Sequence, residues 1–207
     1  MTDLQVSRGA VAPPSLWDPV VRVSHWGLAL AVLLNAVLTE GGSLVHIWIG
    51  WGALALLAIR AIWGFVGPRE ARFSAFPPSP AGALSHLRDL AARRPGVYAS
   101  HNPAGAMMAY AMWAALAVAI GTGIAMTGTG PFGAMERKAA VETQDWSTLD
   151  LGERRSEEEG EMLEEVHEIG GNLLLILAAL HVGGVVLESR ALRRNLLRPM
   201  LGGAPRG

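Results

Sequence analysis

No cysteine occurs in the 207 residues. Disulfides, thiolate-held iron–sulfur clusters and covalent haem attachment through a C-x-x-C-H motif are thereby excluded. Charge is also scarce, with 17% charged residues against 51% hydrophobic ones, and the mean hydropathy is positive at +0.30. That balance belongs to a membrane protein rather than a soluble domain. The first 20 residues hold Pro13, Pro14 and Pro19 and lack an apolar run, so residues 1–19 are expected to be a flexible tail rather than a secretory signal. No internal repeat is found, no nucleic-acid partner is expected, and nothing in the sequence fixes an oligomeric state.

What the chain does have is four apolar stretches, about 20–38, 46–65, 104–126 and 169–187. A spanning helix needs about 20 apolar residues, and each stretch comes close to that length. The expected fold is an all-α membrane protein, a four-transmembrane-helix bundle over residues 20–200 with a short tail at 201–207. Thirteen of the 17 Lys and Arg lie in the N-terminal tail and the start of the first span, in the segment from Arg60 to Asn102, and from Glu188 onward. By the positive-inside rule these segments are cytoplasmic, and both termini with them. The loop at 127–168 carries 12 acidic and four basic residues and should face the opposite side. Two readings fit its second part, Arg154 to Glu168: a solvated linker, or a helix leading into the fourth span. On the basic side, Pro77, Pro78 and Pro80 predict a turn, and Ala81 to Arg94 an amphipathic helix lying in the interface.

Six histidines are present. Four, His25, His46, His167 and His181, fall in or at the ends of spans, where an ionisable side chain is costly and usually functional. His167 and His181 are 14 residues apart, close to four helical turns, so they share a face with a rise of about 21 Å. His25 and His181 have matching depths near the basic side, and His46 and His167 near the acidic side. Two such pairs fit two six-coordinate haems, each iron taking an imidazole from two facing helices. A proton relay would need acidic residues in the middle of the spans, and a zinc site would gather three or four ligands at one point. The sequence offers neither arrangement.

Two readings fit Arg22, three residues before His25, and Arg60, at the far end of the second span: a partner for a haem propionate, or a side chain snorkelling to lipid headgroups. The glycine pairs Gly50/Gly52, Gly121/Gly123, Gly170/Gly171 and Gly183/Gly184 suit either a flat macrocycle or close helix contact. His101 precedes Asn102 and Pro103, which fit a helix cap and first turn, and it is a candidate for contact with a propionate or a quinone headgroup. His86 is expected to be solvated on the interfacial segment.

Trp17-Asp18-Pro19 with Arg22-Val23-Ser24-His25-Trp26, His46 with Arg60-Ala61-Ile62-Trp63-Gly64-Phe65, His101-Asn102-Pro103-Ala104-Gly105, Thr122-Gly123, His167-Glu168 and His181-Val182-Gly183 occur in that order. In this the chain resembles the bacterial cytochrome b561 superfamily, especially the di-haem cytochrome b subunits associated with nickel–iron hydrogenases and periplasmic c-type cytochromes. The resemblance implies a multi-pass protein of the bacterial inner membrane carrying two b-type haems. His25 and His181 would hold the cytoplasmic-side haem, and His46 and His167 the periplasmic-side one. It also implies electron exchange with quinone and with a periplasmic partner, a c-type cytochrome or an oxidoreductase subunit, with Arg22, Arg60, His101 and Asn102 lining the quinone or propionate region. Rival readings are the membrane anchor of a hydrogenase or other oxidoreductase, a superoxide:ubiquinone oxidoreductase, and a transporter or structural protein with incidental histidines. The strongly negative outer loop disfavours superoxide as a substrate, because the anion would be repelled.

Overall fold

The first helix begins where Asp18 caps it. Its Oδ1 accepts from the backbone N–H groups of Val20 and Val21 at 2.9 and 3.2 Å, and Pro19, which has no N–H to leave unpaired, takes the first helical position. In this computed structural model, residues 17–94, 96–98, 100–127, 130–144 and 157–202 are described. Most of the expected N-terminal tail, residues 145–156 of the acidic loop and residues 203–207 lie outside them.

Among the described residues seven helices follow in order: α1 Pro19–Val37, α2 Leu44–Val66, α3 Pro80–Ala91, α4 Pro103–Thr127, α5 Gly130–Thr143, α6 Glu157–Ala191 and α7 Arg198–Leu201. Two short 3-10 turns, Arg69–Ala71 and Phe73–Ala75, lie between α2 and α3, and no strand occurs among the described residues. Among the described residues four helices are long and apolar enough to cross a membrane, namely α1, α2, the helix beginning at Pro103, and α6. Their apolar side chains remain largely uncovered, including Leu30, Leu33, Ile62, Phe65, Ile176 and Val182. Lipid is the solvent that such a surface requires.

The chain divides into two compact units. One comprises the chain up to Arg22, Ile62–Tyr110 and the residues from Leu180, and the other comprises Val23–Ala61 and Ala111–Ala179. In the second unit α1, α2, α4 and α6 meet at Leu28, Ala53, Ala115, Leu116 and Leu174, ringed by Leu56, Leu57, Met112, Ile120 and Leu177. Small residues let the backbones close in there. An ideal Cβ on Gly170 would lie 3.6 Å from the Ala119 nitrogen of α4.

In the first unit, Trp63 at the end of α2 donates its indole N–H to Asp18 Oδ1 at 2.9 Å. Gly64, next in sequence, lies against the Phe73 ring, where any β-carbon would collide with it. Phe73, Phe76 and Tyr110 then form a mutual cluster of tilted and edge-on rings, with centroids 5.9 to 6.2 Å apart. Two segments far apart in sequence are tied together in this unit: Trp17 N–H donates to the Pro199 carbonyl at 3.3 Å, and Arg22 Nε to that of Met200 at 3.2 Å.

Two features depart from the sequence expectation, and one open alternative is decided. The 127–168 segment contains α5, where a loop was expected; its Gly130 has φ +76°, and its Phe132 meets Trp48 edge-on at 5.4 Å. Of the two readings of the segment before the fourth span, the helix is the one found: that span is the second half of α6, which starts at Glu157, with Glu158, Glu159, Glu161, Glu164, Glu165 and Glu168 exposed along its first turns. Acidic side chains there face the positive end of the helix dipole. The second departure is His86, expected to be solvated and in fact 2% exposed. It lies on the inward side of α3, whose Leu84 and Leu87 are exposed.

Candidate cofactor site

The clearest assembly of histidines lies in the second unit. His46 stands on the first turn of α2 and His167 on α6, with ring centroids 5.9 Å apart and planes inclined at 59°. Each ring is held by its Nδ1. That of His167 is 2.8 Å from the Ala119 carbonyl oxygen, and a carbonyl only accepts, so Nδ1 carries the hydrogen and Nε2 keeps a free lone pair. Thr122 adds its hydroxyl to the same Nδ1 at 3.2 Å. His46 Nδ1 is 3.3 Å from the Thr39 hydroxyl, which is in turn 3.2 Å from the Asn35 carbonyl. The relay that satisfies every atom runs from Nδ1–H to Thr39 and from Thr39 to Asn35, leaving Nε2 of His46 free as well. Asn35 secures the backbone too, donating from Nδ2 to the His46 carbonyl at 3.1 Å.

Two imidazoles whose Nε2 atoms face each other across a gap of this width could serve as the donors that a six-coordinate haem iron requires. The surroundings suit a flat macrocycle. A Cβ at Gly50 or Gly121 would meet nothing within 4 Å, and one at Gly123 would come 3.3 Å from the His167 ring. Among the described residues no group of three or more His, Cys, Asp or Glu gathers as a metal cluster. Sequence reasoning missed Asn35 and Thr39. Their signal was the short turn that brings Thr39 back beside His46.

The other residues singled out are placed as follows. His25, on α1 in the second unit, lies edge-on to Trp26 with centroids 5.3 Å apart, and Ser24 before it is buried. His181 is on α6 in the first unit and half-buried. Arg60 is 5% exposed, with its guanidinium carbon 5.0 Å from the centre of the Trp113 ring. That placement is too buried for snorkelling. Arg22 is turned toward the C-terminal segment through its bond to Met200. His101 packs between Phe76, at 4.5 Å, and Trp17, at 5.3 Å. Asn102 caps α4, accepting from Gly105 N–H at 2.6 Å, while its Nδ2 donates to Glu188 Oε2.

A family model described as prokaryotic cytochrome b561 matches residues 16–203. No curated protein matches the chain, and no solved structure does.

Proposed function

Because the chain belongs to the prokaryotic cytochrome b561 family, and is therefore a membrane-embedded b-type cytochrome of electron transfer, we propose that it carries two haems on paired histidines and conducts electrons across the bacterial inner membrane. Its exchange partners in this reading are the quinone pool and a periplasmic redox protein, a c-type cytochrome or an oxidoreductase subunit. His46 and His167 hold one haem; His25 and His181 hold the other, nearer the cytoplasm. The observation that carries the reading is the His46–His167 pair, with its rings 5.9 Å apart and both Nδ1 atoms engaged.

When bound, haem supplies reversible one-electron exchange at its iron. The protein's part is positional. Thr39, Thr122 and the Ala119 carbonyl fix which nitrogen each ring presents, so that ligation requires no reorientation of either imidazole. Arg60 supplies a buried positive charge suited to a propionate. Asn102 has both ends of its amide committed, so it acts through Glu188 and the α4 cap, leaving His101 as the residue for a quinone headgroup.

The test is a dithionite-reduced minus oxidised spectrum of the detergent-purified protein, with pyridine haemochrome quantitation. Two b haems per chain is the expected result. A folded protein without haem would overturn the proposal, and a single haem would confine it to one histidine pair.

A further inference from the structure

His86 on α3 and Glu188 on α6 form a buried ionisable pair that the haem reading does not use. His86 is 2% exposed and Glu188 9%. His86 Nε2 lies 3.6 Å from Glu188 Oε1, while Oε2 accepts from Asn102 Nδ2. His86 Nδ1 is buried with no hydrogen-bond partner, an arrangement that stability alone does not favour, since a buried polar group left unbonded is destabilising. The Tyr98 ring stands edge-on to His86 at 5.4 Å. Burial, then the negative charges of Asp89 and Glu188, push the Tyr98 phenol up. The polar groups facing the pair are thus Tyr98 on the following loop and Asn102 at the start of α4, while Asp89 of α3 acts on Tyr98.

Glu188 also has a fixed relation to His181. Seven residues is two turns less about 20°, so both lie on one face of α6, about 10 Å apart along its axis. The following inference rests on the reading of His181 as a haem ligand. An electron reaching that haem adds one negative charge along the same helix face, and burial limits the screening between it and the pair. A negative charge arriving nearby favours the protonated form of a buried carboxylate and imidazole in contact.

We propose that His86 and Glu188 form a redox-linked proton site, binding one proton from the adjoining aqueous phase when the haem on His181 is reduced and releasing it on oxidation. The electron comes from the donor, a membrane quinol or dithionite in the test, and goes to the iron. The proton goes to the pair, so the site as a whole gains no charge. His86 Nδ1 can receive the proton without breaking the contact with Glu188.

Potentiometric titration of the purified, haem-loaded protein between about pH 5 and 9 tests this. The reduced state binds the proton more tightly, so the potential of one haem is expected to fall as pH rises, approaching one proton per electron, while the other stays flat. Glu188→Gln should flatten the sloping haem at unchanged haem content and abolish an imidazolium ring band in the redox-difference infrared spectrum. Glu188→Asp should restore part of the slope. Should the Gln variant fail to fold, His86→Gln carries the same expectation for the slope. Two haems with pH-independent potentials would overturn the proton site and leave the haem reading standing, as would a slope and band that survive both substitutions. A folded wild-type protein without haem would overturn both. A merely structural brace between α3 and α6 would lower stability in the variants without altering the slope.

Discussion

A histidine that ligates iron must present one particular nitrogen, and its neighbours decide which. Thr39 has that task for His46, whereas His167 has both a carbonyl and a hydroxyl at its Nδ1. Thr39→Val is therefore expected to weaken haem binding about 10- to 100-fold. Thr122→Val should have a smaller effect, because the Ala119 carbonyl still accepts. The rate at which haem passes to an excess of a scavenging apoprotein measures both. The intramembrane histidines were legible in the sequence because their side-chain type is out of place in an apolar run. His86 was misread as solvated because its burial depends on Glu188, 102 positions along the chain, and no local pattern reports so remote a partner. Glu188 carried a readable signal, two turns beyond His181 on the same face, which was not used.

Among the elements, the four long helices were legible because hydropathy over about 20 residues registers the solvent directly. The α5 helix was not. Its sequence mixes Gly130, Pro131 and Gly133 with charged residues, so neither an apolar run nor a clean helical period marks it. The α6 helix is uninterrupted from Glu157 to Ala191, so its two histidines are about 21 Å apart by helical rise. His167→Ala and His181→Ala are each expected to remove one haem and leave the other in place, halving the pyridine haemochrome yield. Loss of both haems from either single substitution, in a protein that still purifies as a folded species, would mean that the two sites are one.

For the molecule as a whole, the family match from residue 16 to 203 agrees with a resemblance first carried by short motifs in a fixed order. The structure gives one of those motifs a physical role, because the aspartate of Trp17-Asp18-Pro19 caps α1 and accepts from Trp63 of the second motif. Orientation rests on the distribution of Lys and Arg. The absence of native cysteine makes it directly measurable. Ser74→Cys and Gly207→Cys are expected to react with a membrane-impermeant maleimide in inverted vesicles, and Glu142→Cys in intact spheroplasts. The reverse pattern would place the acidic segment inside the cell and exclude a periplasmic partner on it.

The bonds from Trp17 and Arg22 to the carbonyls of Pro199 and Met200 also bear on biosynthesis. Arg22 and its acceptor are 178 residues apart, and chains elongate at about 5 to 20 residues per second. The start of the first helix therefore waits roughly 9 to 36 s of synthesis for these two acceptors. A nascent chain short of Met200 would hold the capped helix without its fastening, so the first turn of α1 is expected to gain resistance to protease only once that acceptor has emerged.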